Sequence, residues 1–280
     1  MFDAFAYCAQ LVREADRDRF VASLFAPAEL RGALYALYAF NSEVARVRDI
    51  AREPLPGEIR LQWWSDILRG ERDGEAQANP VAAALLATIE QRQLSAVKLT
   101  DLIEARRFDL YDEPMSRIAD LEAYARRISS AGFALAAKIL AGVEAEAVIE
   151  PAGIAYAIGG LLRAFPIHAA RGQLYVPNEL LDRHDVRARE IFGGRSSAGL
   201  VAALAELRAL ALKHLAAAHA QIATLPTAAV PAVLPVAPVR PALERLARHD
   251  PFAPAEIPAW QRQWLIWRAA RNPERITGSM

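Results

Sequence analysis

The sequence predicts an all-α fold organised as a single large helical domain, and three observations predict it. Alanine supplies about a fifth of the 280 residues, and leucine, arginine and glutamate fill much of the rest, all strong helix formers. Apolar residues recur at three- and four-residue spacing over long stretches. Strict apolar–polar alternation, the mark of a half-buried strand, is hard to find. With 54% hydrophobic and 24% charged residues, the chain can bury enough apolar surface to offset the entropy of ordering it.

The N-terminal segment places Cys8 on an apolar helix face, where a small buried residue is expected rather than a nucleophile. Pro27 then opens a helix at a position where its missing N–H costs nothing. Leu30, Leu34, Leu37, Phe40, Val44 and Val47 carry that helix to about Asp49. Further helices are expected over 57–69, 80–93, 96–111, 118–140 with a break near 129–132, 151–170, 197–223 and 255–271. The stretch 172–194 reads as a connecting loop with short helical pieces. Residues 225–241 hold Pro226, Pro231, Pro235, Pro238 and Pro241 among Ala and Val, and read as a packed irregular connection. No repeat or composition shift divides the chain, so 1–280 is expected to be one domain.

Charge and motifs exclude several function classes. The 33 basic and 33 acidic residues cancel, which removes the electrostatic case for a nucleic-acid partner. A single cysteine excludes a disulfide framework and a multi-thiolate metal site. GxxxxGK[ST], GxGxxG and HExxH are absent, and the five histidines lack zinc-ligand spacing. The sequence shows neither a signal peptide nor an apolar window of about 18 residues. The expected location is the cytoplasm, at most peripheral to the inner membrane.

Four segments carry the functional reading. LRGALYALYAFNSEVARVRD (30–49) is followed by RLQWWSDIL (60–68), and LEAYARRISSAGFALAAKIL (121–140) precedes GGLLRAFPIHAARGQLYVPNELL (159–181). Together they resemble the squalene/phytoene synthase family, in its order and spacing, from about Asp16 to His219. The resemblance implies a domain of the isoprenoid synthase type that joins two prenyl diphosphates head to head. It also implies two DxxxD motifs on facing helices. Carboxylates at i and i+4 share a helical face, and such pairs hold Mg²⁺ ions that bridge to diphosphate oxygens.

Both motifs are eroded in this chain. Where the family has Asp-Asp-x-x-Asp, the sequence reads Ala45-Arg46-Val47-Arg48-Asp49, preceded by Asn41-Ser42 in place of Cys-Arg. Where it has Asn-x-x-Arg-Asp-x-x-x-Asp, the sequence runs from Gly160 through Arg163, Ala164 and Pro166 to His168. Of the metal-binding acids only Asp49 remains, while Arg163 and the GQLYVP segment are retained. Arg46 and Arg48 oppose a metal ion, by about 4 kcal/mol per unit-charge pair at ~4 Å and an effective dielectric of about 20. No metal or cofactor is therefore expected, Mg²⁺ entering only if the chain is an active transferase.

The erosion resembles that of a non-catalytic branch of the family, the mitochondrial respiratory complex I assembly factor 6 group. Its pattern AFN-x-E-x-A-x-V-[KR]-D is met by Asn41, Glu43, Ala45, Val47, Arg48 and Asp49, and LRA-x-P-x-H by Arg163, Ala164, Pro166 and His168. The resemblance implies a bacterial, catalytically inactive relative that helps to assemble respiratory complex I. Its partners would be complex I subunits or other assembly factors. The alternatives are a prenyl transferase with an unusual site, or an isoprenoid- or lipid-binding carrier.

Two readings of Asn41, Glu43, Arg46, Arg48, Asp49, Arg163 and His168 stay open. One is a remnant polar pocket that meets an anionic or isoprenoid ligand; the other is a buried network that closes the old cavity. Trp63 and Trp64 read as core packing. Trp260, Trp264 and Trp267 recur at i, i+4, i+7, the ordinary core signal, so the last helix is expected to close the core. The other reading of that run, with its interspersed arginines, is a membrane interface or a partner groove. Asp109 and Glu113 are expected to be solvated.

Overall fold

The structure is a computed structural model that describes residues 3–51, 53–111 and 113–278. Its helices are α1 (Ala4–Ala15), α2 (Arg17–Ser23), α3 (Ala28–Ala45), α4 (Val47–Ile50), α5 (Pro54–Leu68), α6 (Asp73–Ala78) and α7 (Pro80–Arg92). Next come α8 (Ala96–Arg107), α9 (Ile118–Ala125), α10 (Ala131–Ala141), α11 (Glu146–Arg163) and α12 (Phe165–Ala170). The remainder are α13 (Asn178–Arg183), α14 (Ala188–Phe192), α15 (Ala198–Gln221), α16 (Val230–Val233), α17 (Val239–Leu246) and α18 (Ala259–Arg271). The described residues form no strand, as the composition predicts. The chain divides into two compact units. One gathers Met1–Tyr111, Ala131–Glu146 and Thr224–Pro235; the other gathers Asp112–Ser130, Ala147–Ala223 and Val236–Met280.

In the first unit α3 is the central element, packed by α1, α7 and α10. Every residue from Ala33 to Ser42 is buried, so the helix is enclosed all round rather than along one stripe. Alanines at 33, 36 and 39 allow neighbours close approach. Arg19 is buried beside it, paired with Asp16 at 3.3 Å, its guanidinium 5.2 Å from the ring centre of Tyr38 and 5.7 Å from that of Phe133. Cys8 is fully enclosed, and burial, with a smaller contribution from Asp3, pushes its thiol up to about 12. It is a packing residue, as its apolar helix face predicts.

The second unit is tied by polar clamps. His184 and Arg183 meet Glu206 at 2.6 and 2.5 Å, and His214 meets Glu122 at 2.7 Å. The amides of Asn178 and Glu179 donate to the carbonyls of Met115 and Ser116. The expected break near 129–132 is a π-helical turn, Arg126–Ser130, that widens the helix instead of ending it. Helix α11 lies directly on that turn. A Cβ on Gly153 would come within 2.5 Å of Ser130 Cα, and Ser130 Oγ donates to the Glu150 carbonyl at 2.8 Å.

Several expectations need correction. The helix expected to reach Asp49 stops at Ala45 and resumes as α4, with Arg46 at φ −85°, ψ −2° between them. The helix expected over 151–170 begins at Glu146 and breaks at Ala164. Pro151 removes one bond near its start, while Val148 and Ile149 anchor the turn before it. Residues 225–241 are mostly helical turns, and residues 229–239 are buried throughout. Asp109 is buried and paired with Arg106 at 3.0 Å, not solvated.

The largest correction concerns α18, which begins at Ala259 rather than 255, with Pro258 in extended backbone just before its first turn. Its three tryptophans do not close the core: Trp260, Trp264 and Trp267 are 71%, 44% and 42% exposed. The buried face is Leu265, Ile266 and Ala269, on the opposite side of the helix at 100° per residue.

Candidate functional site

The residues singled out from the sequence fall in both units, and each half stands on its own geometry. In the first unit, Asn41 is buried on α3, and its Oδ1 has no hydrogen-bond partner among the described residues. Ser42 is buried too, its hydroxyl donating back to the Tyr38 carbonyl at 2.9 Å. Past the interruption, Arg46, Asp49 and Ile50 are exposed, and Arg48 is half-buried, donating to the Ala51 carbonyl at 3.5 Å. Amides of Asp49 and Ile50 both turn back to the Arg46 carbonyl at 3.0 and 3.2 Å, a tightened turn. Positions 45 and 49 therefore do not lie on one continuous helix.

Glu43 lines a different feature. With Val47, Ile50, Ile59, Arg60, Trp63, Trp64 and Asn79 it borders an open groove of about 340 Å³ between the α3–α4 segment and α5. Trp64 forms the floor, buried edge-on against Phe40 at 5.1 Å. Trp63 is half-buried and forms a wall, its indole N–H donating to Glu75 at 2.7 Å. Core packing thus holds for Trp64 alone, because consecutive helix positions point about 100° apart. Behind the groove, Asp66 receives Gln62 at 2.7 Å, Arg72 at 2.9 Å and Arg69 at 2.6 Å. These hydrogen bonds, that of Gln62 first, hold its carboxyl below the usual range. The groove residues Ile59, Arg60 and Asn79 escape a motif search; the signal that could have found them is the exposed apolar face of Leu55 and Ile59.

In the second unit, Gly160 sits near the end of α11, and a Cβ there would meet nothing within 4 Å. Arg163 is exposed and ends the helix; Ala164 carries the break at φ −85°, ψ 1°. Pro166 falls at the start of α12, where its missing N–H coincides with that break. His168 is half-buried, with its ring 4.7 Å from that of Tyr175. It borders a small apolar cavity of about 20 Å³ with Leu121, Ile158, Leu162 and Phe165. Its surroundings are those of a packed histidine.

A model of squalene/phytoene synthases matches residues 12–268. The chain belongs to the squalene/phytoene synthase family. Within that family it is 28% identical, over 87% of its length and 74% of the relative's, to human "NADH dehydrogenase (ubiquinone) complex I, assembly factor 6". The bovine protein of that name is 29% identical over 87% of this chain and 74% of its own length. The 15-cis-phytoene synthase of Synechocystis is 24% identical over 69% of this chain and 61% of its own length. Among solved structures, a dehydrosqualene synthase in complex with ligand superposes with a TM-score of 0.82, at 17% identity, covering 97% of this chain and 96% of that one. A squalene synthase from Alicyclobacillus acidocaldarius superposes with a TM-score of 0.69, at 22% identity, covering 96% and 93%. These superpositions carry the fold of the family.

The family's Mg²⁺ does not fit the residues present. Over residues 41–49 the acids are Glu43, which lines the groove, and Asp49, which is exposed and follows two arginines. Positions 160, 164 and 168 supply Gly, Ala and His. Among the described residues, no three His, Cys, Asp or Glu side chains group in a way that could hold a metal ion. Nor is any described helix long and apolar enough to cross a membrane.

Proposed function

We propose that this chain takes part in assembling respiratory complex I and has lost the prenyl-transfer chemistry of its family. The observation that carries the reading is the replacement of the metal-binding acids by Ala45, Arg46, Ala164 and His168. The chain in which they are replaced has relatives, at 28–29% identity, that are complex I assembly factors. Without paired carboxylates a diphosphate leaving group has no metal to neutralise it, and ionisation to a carbocation loses its main electrostatic support. The partners would be complex I subunits or other assembly factors of a bacterium, whose GC-rich genome would account for 30 arginines against three lysines.

Deleting the gene and quantifying assembled complex I on native gels tests the role. A loss of the assembled complex, restored by the wild-type chain, is expected; an unchanged amount overturns the proposal. The phytoene synthase relatives and the retained Arg163 favour a second reading, an active transferase. Incubation of the purified protein with geranylgeranyl diphosphate and Mg²⁺ separates the two, since a condensation product would overturn the loss of chemistry.

A further inference from the structure

We infer that the exposed face of α18 is a docking surface for an anionic phospholipid bilayer. Trp260, Trp264, Trp267 and Arg271 recur at i, i+4, i+7 and i+11, and all four are exposed along one stripe. Three outward tryptophans on one 13-residue helix are costly to leave in water, and an aromatic patch of this kind marks an interaction surface. The indole suits a bilayer boundary in particular, because its ring enters the acyl region while its N–H stays among the headgroups.

Charge selects the kind of bilayer. Helix α18 carries Arg262, Arg268 and Arg271 and no acid. Arg268 lies 4.3 Å from the ring centre of Trp264, and Arg271 lies 3.8 Å from that of Trp267, so cations flank the aromatic stripe. Beside it, Arg240, Arg268 and Arg275 border a small notch with Glu244 as its only acid. Arg240 donates through Nη2 to the Thr277 carbonyl at 3.3 Å, while its buried Nε has no hydrogen-bond partner among the described residues. That notch is a seat for a lipid phosphate next to the aromatic anchor. The acids nearest in sequence, Glu256 and Glu274, lie outside the helix at its two ends. Burial of Leu265, Ile266 and Ala269 holds the helix on the protein, leaving the stripe free to lie in the interface plane.

The inference is independent of the assembly role, and vesicles test it directly. Wild-type protein is expected to co-float with phosphatidylcholine vesicles containing one quarter phosphatidylglycerol, with its tryptophan emission shifted to shorter wavelength. Binding to pure phosphatidylcholine is expected to be at least tenfold weaker. The triple variant Trp260→Ala, Trp264→Ala, Trp267→Ala should lose at least tenfold in partitioning, and Arg268→Gln with Arg271→Gln should lose severalfold together with the salt dependence. Lipids brominated just below the headgroup should quench the wild-type emission, a readout that needs no variant to fold. Failure of the wild type to bind anionic vesicles, absence of quenching, equal binding to neutral vesicles, or a folded triple variant within twofold of wild type would each overturn it. If the triple variant abolished complex I assembly while the wild type ignored vesicles, the stripe would be a protein interface instead.

Discussion

In the α3–α4 segment the helix stops at Arg46 with φ −85° and ψ −2°; in α11–α12 it stops at Ala164 with φ −85° and ψ 1°. Both breaks fall where the sequence resemblance places the family's metal motifs, and in backbone terms they are alike. The side chains around them are not. Before Arg46 the chain keeps a buried amide in Asn41, a buried hydroxyl in Ser42 and a half-buried carboxylate in Glu43. Around Ala164 it keeps a glycine, an alanine, an exposed arginine and a histidine set against Tyr175. One segment keeps Asp49 at its surface and polar groups towards the interior. The other has been turned into packing and solvent-exposed surface. The contrast teaches that two motifs eroded in sequence need not be eroded in the same physical sense.

Substitutions can break or sharpen that contrast. The largest effect is expected at Gly153, where α11 lies on the π turn. Gly153→Ala would drive a methyl into the backbone of Ser130, and a loss of about 2–3 kcal/mol in denaturant unfolding is expected. A loss under about 0.5 kcal/mol would show that the contact is looser than the geometry states. In the other segment, Asn41→Leu removes a buried carbonyl oxygen that lacks a partner. Stability should rise by about 1 kcal/mol, as expected when an unsatisfied polar group gives way to an apolar one of similar size. Should Asn41→Leu instead destabilise the protein while impairing assembly, the amide would be serving a bound group rather than surviving as a relic. The smallest effect is expected at Gly160. Gly160→Ala meets open space inside a helix and should stabilise by about 0.5–1 kcal/mol, measured by the same unfolding transition. Two glycines seven residues apart on one helix would thus respond with opposite signs.

How much of this could be read from the residue string follows from which interactions are local. The helices of the first unit are legible because i, i+3 and i, i+4 contacts lie within one turn of the pattern itself, as with Leu30, Leu34 and Leu37. The break at Arg46 was not legible, since no proline or glycine marks it; that at Ala164 was half-announced by Pro166. The identity of the site residues came from order and spacing of the motif segments. Their surroundings did not. Nothing in AFNSEVARVRD says that Glu43 lines a groove with Arg60 and Asn79 while Asn41 is buried without a partner for its oxygen.

Helix α18 makes the boundary plain. Composition and periodicity were enough to expect an all-α chain of zero net charge, and the motif segments carried the resemblance to a family that the match over 12–268 bears out. They were also enough to show that 260–271 is an amphipathic helix with tryptophans at core spacing. The run WQRQWLIWRAAR nevertheless holds two apolar stripes, one of tryptophans and one of Leu265, Ile266 and Ala269. A helix has only one side to offer its own core, and spacing alone does not rank the two. Packing did so by burying the smaller, aliphatic stripe in the second unit, and the tryptophans were left facing outward because neighbours distant in sequence, not the local pattern, determine which face is covered.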